Sequence, residues 1–354
     1  MATEGARTRC RQRLERLADS SEDHEAMRRV AIAELRLAIG FERWCVPLVD
    51  PDTLISHTGV AETDHVAELP RLQVRDAFSS ELNSGVSLAV GNERVGALSA
   101  LTGGDLARSR RWRESLQQFG TGDELRVVAA DDRGCWGRFD LWRDRDDRPF
   151  SADDARFLRE SSKALGRALR RSTMGARRRA PAVALQTGVL VIEADLRTHR
   201  GTPAVWEWFR LLNPNRVPFP DGIPSLVWGA VGRVLAAERG ENSGEPARIR
   251  VRANNGCWAL IEAARLGDAQ GAIAVSVHAA TMDEVLVLLF RAHRLSVRER
   301  ELVRLVIQGL DTDTIADRLV ISRYTVQDHL KSIFRKVGVN SRLELLADLL
   351  APAN

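Results

Sequence analysis

Residues 282–354 are divided into short helices by paired start and stop signals, and this division restricts the fold more than any other feature of the chain. Ser296-x-x-Glu299 has the form of a capping box, in which the hydroxyl and the carboxylate each accept the other residue's backbone N–H. Gly309 can close that helix in the left-handed conformation, and Gly338 can close another that Ser322 opens. Ser341-x-x-Glu344 opens a last helix through Leu350. The pattern predicts helices over 283–293, 297–308, 311–319, 322–337 and 341–350, with a turn at Val320-Ile321. Helices of two to four turns are marginal alone in water, so their apolar residues must be buried against one another.

On the 322–337 helix, Val326, Leu330, Ile333 and Val337 fall at i, i+4, i+7 and i+11, one narrow core stripe. Tyr324, Asp328, Lys331 and Arg335 lie on the opposite side, flanked by Gln327. A glutamine can bond bidentately to adenine, and a lysine can reach guanine or phosphate. Asp328 has two readings: acceptor for a cytosine amino group, or partner of Lys331 three residues on. Residues 322–342 carry five cations (Arg323, Lys331, Arg335, Lys336, Arg342) against Asp328, so this segment alone matches the +4 of the whole chain. The chain is no polycation, and any nucleic-acid surface must be local. A solvated helix face explains the amphipathicity, but not a short helix, a tight turn and a polar-basic helix in succession.

The run Leu295-x-x-Arg298-Glu299, Gly309, Ile315-Ala316, Leu319, Ile321-Ser322, Thr325-Val326, His329, Ile333, Lys336, Gly338-Val339 and Arg342 resembles the LuxR-type helix-turn-helix domain over residues 286–351, with the motif proper at 311–330. The resemblance implies a four-helix domain whose third helix enters the major groove, and a last helix that commonly dimerises. It implies DNA contacts from Arg323, Tyr324, Thr325, Gln327, Asp328, Lys331, Arg335, Lys336 and Arg342. Arg323, Lys336 and Arg342 would hold phosphate, while Tyr324, Gln327, Asp328 and Lys331 would face base edges. His329, at the border of the core stripe, is either structural or touches a phosphate. Many members carry Lys or Arg at the position of Gln327, and an apolar residue or Asn at that of Asp328, so the base preference does not carry over.

Upstream, two helices are expected over 5–40, broken at 20–23 and ended by Gly40. Strands are expected at 45–49 and 54–57 around Asp50-Pro51-Asp52, and at 124–129 and 135–142 around Asp131-Asp132-Arg133-Gly134. In the last of these, Cys135, Gly137, Phe139 and Leu141 alternate with Trp136, Arg138, Asp140 and Trp142; large residues on both faces predict helices over both sides. Ser151-x-x-Asp154 starts a helix with Phe157, Leu158, Leu165 and Leu169 buried. Residues 172–183, with Gly175, Arg177-Arg178-Arg179 and Pro181, read as an Arg-rich linker. Beyond it come strands at 188–192, 248–252, 257–264 and 272–278, helices at 202–212 and 226–238, and a loop with four prolines over 213–224.

Residues 25–171 resemble a GAF domain and residues 184–280 a PAS domain, with 1–24 as a helical extension and 282–294 as a connecting helix. The expected fold class is multidomain α+β: two antiparallel-sheet, sensor-like domains followed by an all-α, four-helix LuxR-type domain. That order resembles a class of actinobacterial regulators. The triplets Gly134-Cys135-Trp136 and Gly256-Cys257-Trp258 echo each other at strand entries, which fits common hairpin chemistry and two domains of similar plan.

Several functions are set aside. No stretch approaches the ~18 apolar residues of a membrane span, and the charged start is unlike a secretory signal. Cys10, Cys45, Cys135 and Cys257 are scattered, and the seven histidines form no metal spacing, so no metal and no cofactor are expected, and a cytoplasmic setting is. Phosphate-loop and receiver-type acidic signatures are missing, and no nucleophile–base pair or paired carboxylates stand at local spacing, so the chain is expected not to be an enzyme. Cys135 has no neighbouring base and reads as a packed residue. Trp44, Trp112 and Trp136 are candidates for lining a ligand pocket, against the alternative of plain core. The arginines at 167, 170, 171 and 177–179 either add non-specific DNA contact or form a solvated linker. The expected function is DNA-binding transcription regulation by a homodimer on double-stranded DNA, with a small-molecule effector and RNA polymerase as further partners. The alternative is a regulator whose N-terminal domains serve only dimerisation or docking.

Overall fold

The computed structural model describes residues 4–19, 24–63, 68–175, 185–213, 221–241, 246–268 and 270–349. Helices α1 (Glu4–Ala18) and α2 (His24–Ile39) lead into β1 (Arg43–Val49) and β2 (Ser56–Glu62). Then come α3 (Leu69–Asp76), α4 (Gly85–Val90), β3 (Val95–Ala97), α5 (Leu98–Thr102), β4 (Thr121–Asp131), β5 (Gly134–Asp144) and α6 (Ala152–Gly175). The strands form a five-stranded antiparallel sheet in the order β2-β1-β5-β4-β3.

Helix α6 lies directly on this sheet because Gly166 permits it: a Cβ there would stand 2.6 Å from the Ala130 carbonyl carbon. Ser151 and Asp154 cap α6 reciprocally, as their spacing predicts. Helix α1 packs on α6 rather than extending from the domain, with Leu14 and Leu17 in the main core and Arg7 paired to Asp154 at 2.5 Å. The helix α6 runs to Gly175, so the first residues of the expected linker are helical; Arg177, Arg178, Arg179 and Pro181 lie outside the described residues.

The opposite face of the sheet is filled by charge. Arg126 is fully buried between Asp76 (2.7 Å) and Asp140 (3.0 Å). Arg138 reaches the same two carboxylates at 2.7 and 2.6 Å, and Arg111 links Asp76 to Glu124. Burial would push the Asp76 carboxyl up, but Arg126, Arg138 and Arg111 outweigh it and hold it well below the usual range. The expected alternation in β5 holds from Gly137 onward and fails before it. The β4–β5 register slips between Ala129↔Gly137 and Ala130↔Cys135. This bulge leaves Trp136 beside Phe139 and Leu141 in the main core and puts Cys135 with Val128 and Ala130 in a separate cluster.

The second sheet contains β6 (Gly188–Ile192), β7 (His199–Gly201), β8 (Arg248–Arg252), β9 (Trp258–Arg265) and β10 (Ile273–Ala279), with α7 (Pro203–Leu212) and α8 (Ser225–Glu238) between β7 and β8. Its order, β7-β6-β10-β9-β8, is that of the first sheet when each is counted from its own first strand. The Gly-Cys-Trp echo nonetheless falls on non-equivalent strands: one opens the fifth strand of its sheet, the other leads into the fourth. It therefore reflects hairpin chemistry and not a repeated position. Of the four prolines expected in a loop, Pro214, Pro218 and Pro220 lie outside the described residues. Helix α8 is buried from Leu226 through Val234, since it packs on its own sheet and also on α3. A Cβ at Gly232 would stand 2.8 Å from the Val74 backbone, and Arg233 donates to the Thr53 carbonyl of the first domain.

Helices α9 (Met282–Ala292), α10 (Val297–Ile307), α11 (Thr312–Leu319), α12 (Arg323–Val337) and α13 (Arg342–Leu349) complete the chain; Leu350 lies outside the described residues. The Ser296–Glu299 box forms, and Thr281–Glu284 forms another that opens α9. The Ser341 hydroxyl accepts the Glu344 N–H, but the Glu344 carboxylate turns to the Asn340 N–H, so this box is half closed. No described helix is long and apolar enough to cross a membrane.

Candidate nucleic-acid interface

Helix α12 starts where Val320 takes a left-handed conformation (φ 53°) and Ser322 caps the Thr325 N–H at 3.1 Å. Val326, Leu330 and Ile333 are buried, as their spacing requires. Arg323, Tyr324, Gln327, Asp328, Lys331 and Arg335 all point to solvent along one side. Tyr324 is 80% exposed, so nothing among the described residues covers it. Asp328 lies 3.4 Å from Lys331, which is the ion-pair reading of this residue; both are exposed, so the pair is weak and can open toward a base. Arg323 pairs with Asp313 of α11 at 3.3 Å, and its head is drawn toward the preceding helix. Thr325 and His329 are half-buried at the edge of the stripe.

Two of the cations expected on phosphate are engaged inside the domain instead. Lys336 donates to both carboxylate oxygens of Glu299, at 2.8 and 2.6 Å. Glu299 is buried and also accepts from the Ser296 N–H and the Ser332 hydroxyl. Burial raises its pKa, but Lys336, the Ser296 N–H and Ser332 outweigh that and hold it at about 2. This one carboxylate thus ties the start of α10 to the end of α12. Arg342 donates to the carbonyls of Val306, in the last turn of α10, and Leu310, in the loop that follows it. Arg298 does the same for Leu319 at the end of α11 and so braces the turn before α12. Arg298 and Glu299 stand in the sequence motif, but their work as carbonyl cap and interhelical tie is visible only once the helices are assembled.

The three tryptophans proposed to line one pocket do not meet. Trp44 and Trp136 belong to the main core, with Trp44 donating to Glu62 at 2.9 Å. Trp112 lies in a different cluster with Trp142 and donates to the Thr121 carbonyl. Cys135 is buried, and burial pushes its thiol up to about 11. No group of three or more metal-ligating side chains occurs among the described residues.

A short helix, a left-handed turn and a second helix with an exposed polar-basic face make α11–α12 a helix-turn-helix unit. Residues 293–347 match the family described as bacterial regulatory proteins, luxR family. The spore germination protein GerE of Bacillus subtilis (strain 168) is 39% identical over 56 residues, which cover 16% of this chain and 76% of that protein. The chain belongs to the luxR family. Rv0890c of Mycobacterium tuberculosis (strain ATCC 25618 / H37Rv) is 46% identical over 52 residues, 15% of this chain; the match spans only 6% of that protein's length. The likeness therefore belongs to α10–α13 and not to the sheets before them. The crystal structure of Escherichia coli SdiA covers 97% of this chain and 96% of its own at 11% identity, with a TM-score of 0.34, too low to assign a fold to the sheets.

Proposed function

We propose that this chain is a sequence-specific DNA-binding transcription regulator acting on double-stranded DNA as a homodimer in the cytoplasm. The observation that carries this reading is the exposed row Tyr324, Gln327, Asp328, Lys331 and Arg335 on the second helix of a luxR-family unit. In this reading α12 lies in the major groove. Gln327, Asp328 and Lys331 face base edges, and Arg323 and Arg335 lie toward phosphates. Lys336 and Arg342 stiffen the domain and contribute less to the phosphate contacts than their charge suggests. Leu343 on α13, exposed in the single chain, supports pairing of two copies through that helix. The sheet domains, GAF-like and PAS-like in outline, serve as the input half, and RNA polymerase is the natural downstream contact.

A specific observation favours docking over small-molecule sensing in the first sheet domain. One face of its sheet is filled by the aromatic core and the other by the ion network around Arg126. The experiment is a genomic DNA selection with the full chain at two salt concentrations, followed by titration of a recovered duplex. Affinity that falls steeply with salt, and a loss of about 1–3 kcal/mol for Gln327→Ala with altered base preference, are expected. Salt-independent binding, or no recovered duplex at low salt, would sink the proposal.

A further inference from the structure

Helix α9 joins the sheets to the DNA-binding domain, and arginines hold it at both ends. At its first turn Arg250 of β8 donates to the Glu284 carbonyl at 3.3 Å. The same guanidinium is fixed on Asp50, at 2.7 and 3.0 Å, and on Asp52, both in the β1–β2 turn. At its last turn Arg133 and Arg170 both donate to the Ala292 carbonyl, at 2.6 and 3.2 Å. That carbonyl belongs to the group that a helix end cannot satisfy from within. Asp131 pairs with the Arg170 guanidinium at 2.8 Å and accepts the backbone N–H of Arg133 at 2.9 Å, which fixes the turn that carries the second donor. Arg291 adds a bond to the Pro51 carbonyl and an ion pair with Asp52 at 2.8 Å, and Arg294 pairs with Asp132. Two turns of the first domain thus grip a helix that lies 240 residues after one turn and 159 after the other, while the DNA face of α12 stays exposed.

We infer that this arginine clamp controls the DNA-binding domain by fixing its orientation, not by masking its DNA face. The inference rests on the DNA-binding reading only for its consequence, the half-site spacing that two chains can span together. The clamp itself is a claim about α9 and needs no DNA to test.

The test uses the full chain and the double variant Arg133→Ala/Arg291→Ala. Neither residue is fully buried, and the pairs Asp131–Arg170 and Asp50–Arg250 remain. Hydrogen exchange is expected to be at least about ten-fold faster at amides 290–296 in the variant, with α12 unchanged. Arg294→Glu, an exposed change opposite Asp132, should move the same amides in the same direction by less, and guards against a double variant that fails to fold. On duplexes carrying two half-sites at varied separations, the native chain should prefer one spacing and the double variant should bind all about equally. Unchanged exchange in both variants overturns the clamp. Faster exchange with an unaltered spacing preference overturns its control of orientation. If no duplex binds either protein, the DNA-binding reading fails and takes the orientation role with it, while exchange still decides whether α9 is clamped.

Discussion

The two sheets share one strand order and use it differently. In β4 and β5 of the first sheet nearly every residue is buried, on both faces. In β6 and β10 of the second, buried and half-exposed residues alternate one for one. The second sheet has α7 and α8 against one face, and its other face is buried only along β8 and β9, where Arg250 meets Asp50 and where Trp258 and Leu260 join the main core. The continuous one has an apolar core on the α6 side and three buried arginines among three carboxylates on the other. Identical topology therefore says little about what a sheet encloses. A filled polar face costs desolvation of every charge on it and holds only while all partners are present.

Arg126→Met should have the largest effect. Asp76 and Asp140 would each lose a buried partner, for a destabilisation of about 3–5 kcal/mol in denaturant unfolding followed by tryptophan fluorescence. A value under about 1 kcal/mol would mean that the network is ornamental. The DNA-binding domain provides an intermediate case, with one buried carboxylate and a half-exposed lysine. Glu299→Gln should cost about 2 kcal/mol, read from loss of helical circular dichroism in α10–α13. Its pH dependence has a fixed sign. The folded pKa, about 2, lies below the ordinary carboxylate value, so the stabilisation is complete above about pH 4.5 and is lost as pH falls toward 2. In the Gln variant that window should flatten. The smallest effect belongs to the half-exposed face of the second sheet. Ser276→Ala on β10 should stay within about 0.5 kcal/mol, and a larger change would show that this face is covered after all.

The same contrast explains what the sequence makes legible. The C-terminal helices were readable because caps and stripes are local: Ser296, Glu299, Ser322 and Gly338 mark their ends within a turn of the residues they serve. The longer strands of the second sheet were legible from the turns that bound them, and β8, β9 and β10 fall within a residue or two of expectation. The three-residue strands β3 and β7 were not, since three residues carry no period. Nor was the bulge at Trp136, which shifts a face without changing composition. Of the site, the exposed row on α12 followed from the helical wheel. The roles of Lys336 and Arg342 did not, because a cation's partner is set by tertiary contact: Glu299 lies 37 residues before Lys336. The tryptophans failed for a like reason, as large aromatics satisfy a core and a pocket equally well on paper.

Helix α8 bears on how such a chain can change over generations. Buried along its whole middle between the two sheets, it makes each of them part of the other's interior. Recombination that exchanged only one sheet domain would leave Gly229 and Gly232 facing a surface never shaped to receive them, whereas α10–α13 hang on a single connecting helix, α9, through which their apolar residues run on into the main core. The heritable module upstream is then the pair of sheets, and a luxR-family domain exchanged onto it has only the α9 seam to match.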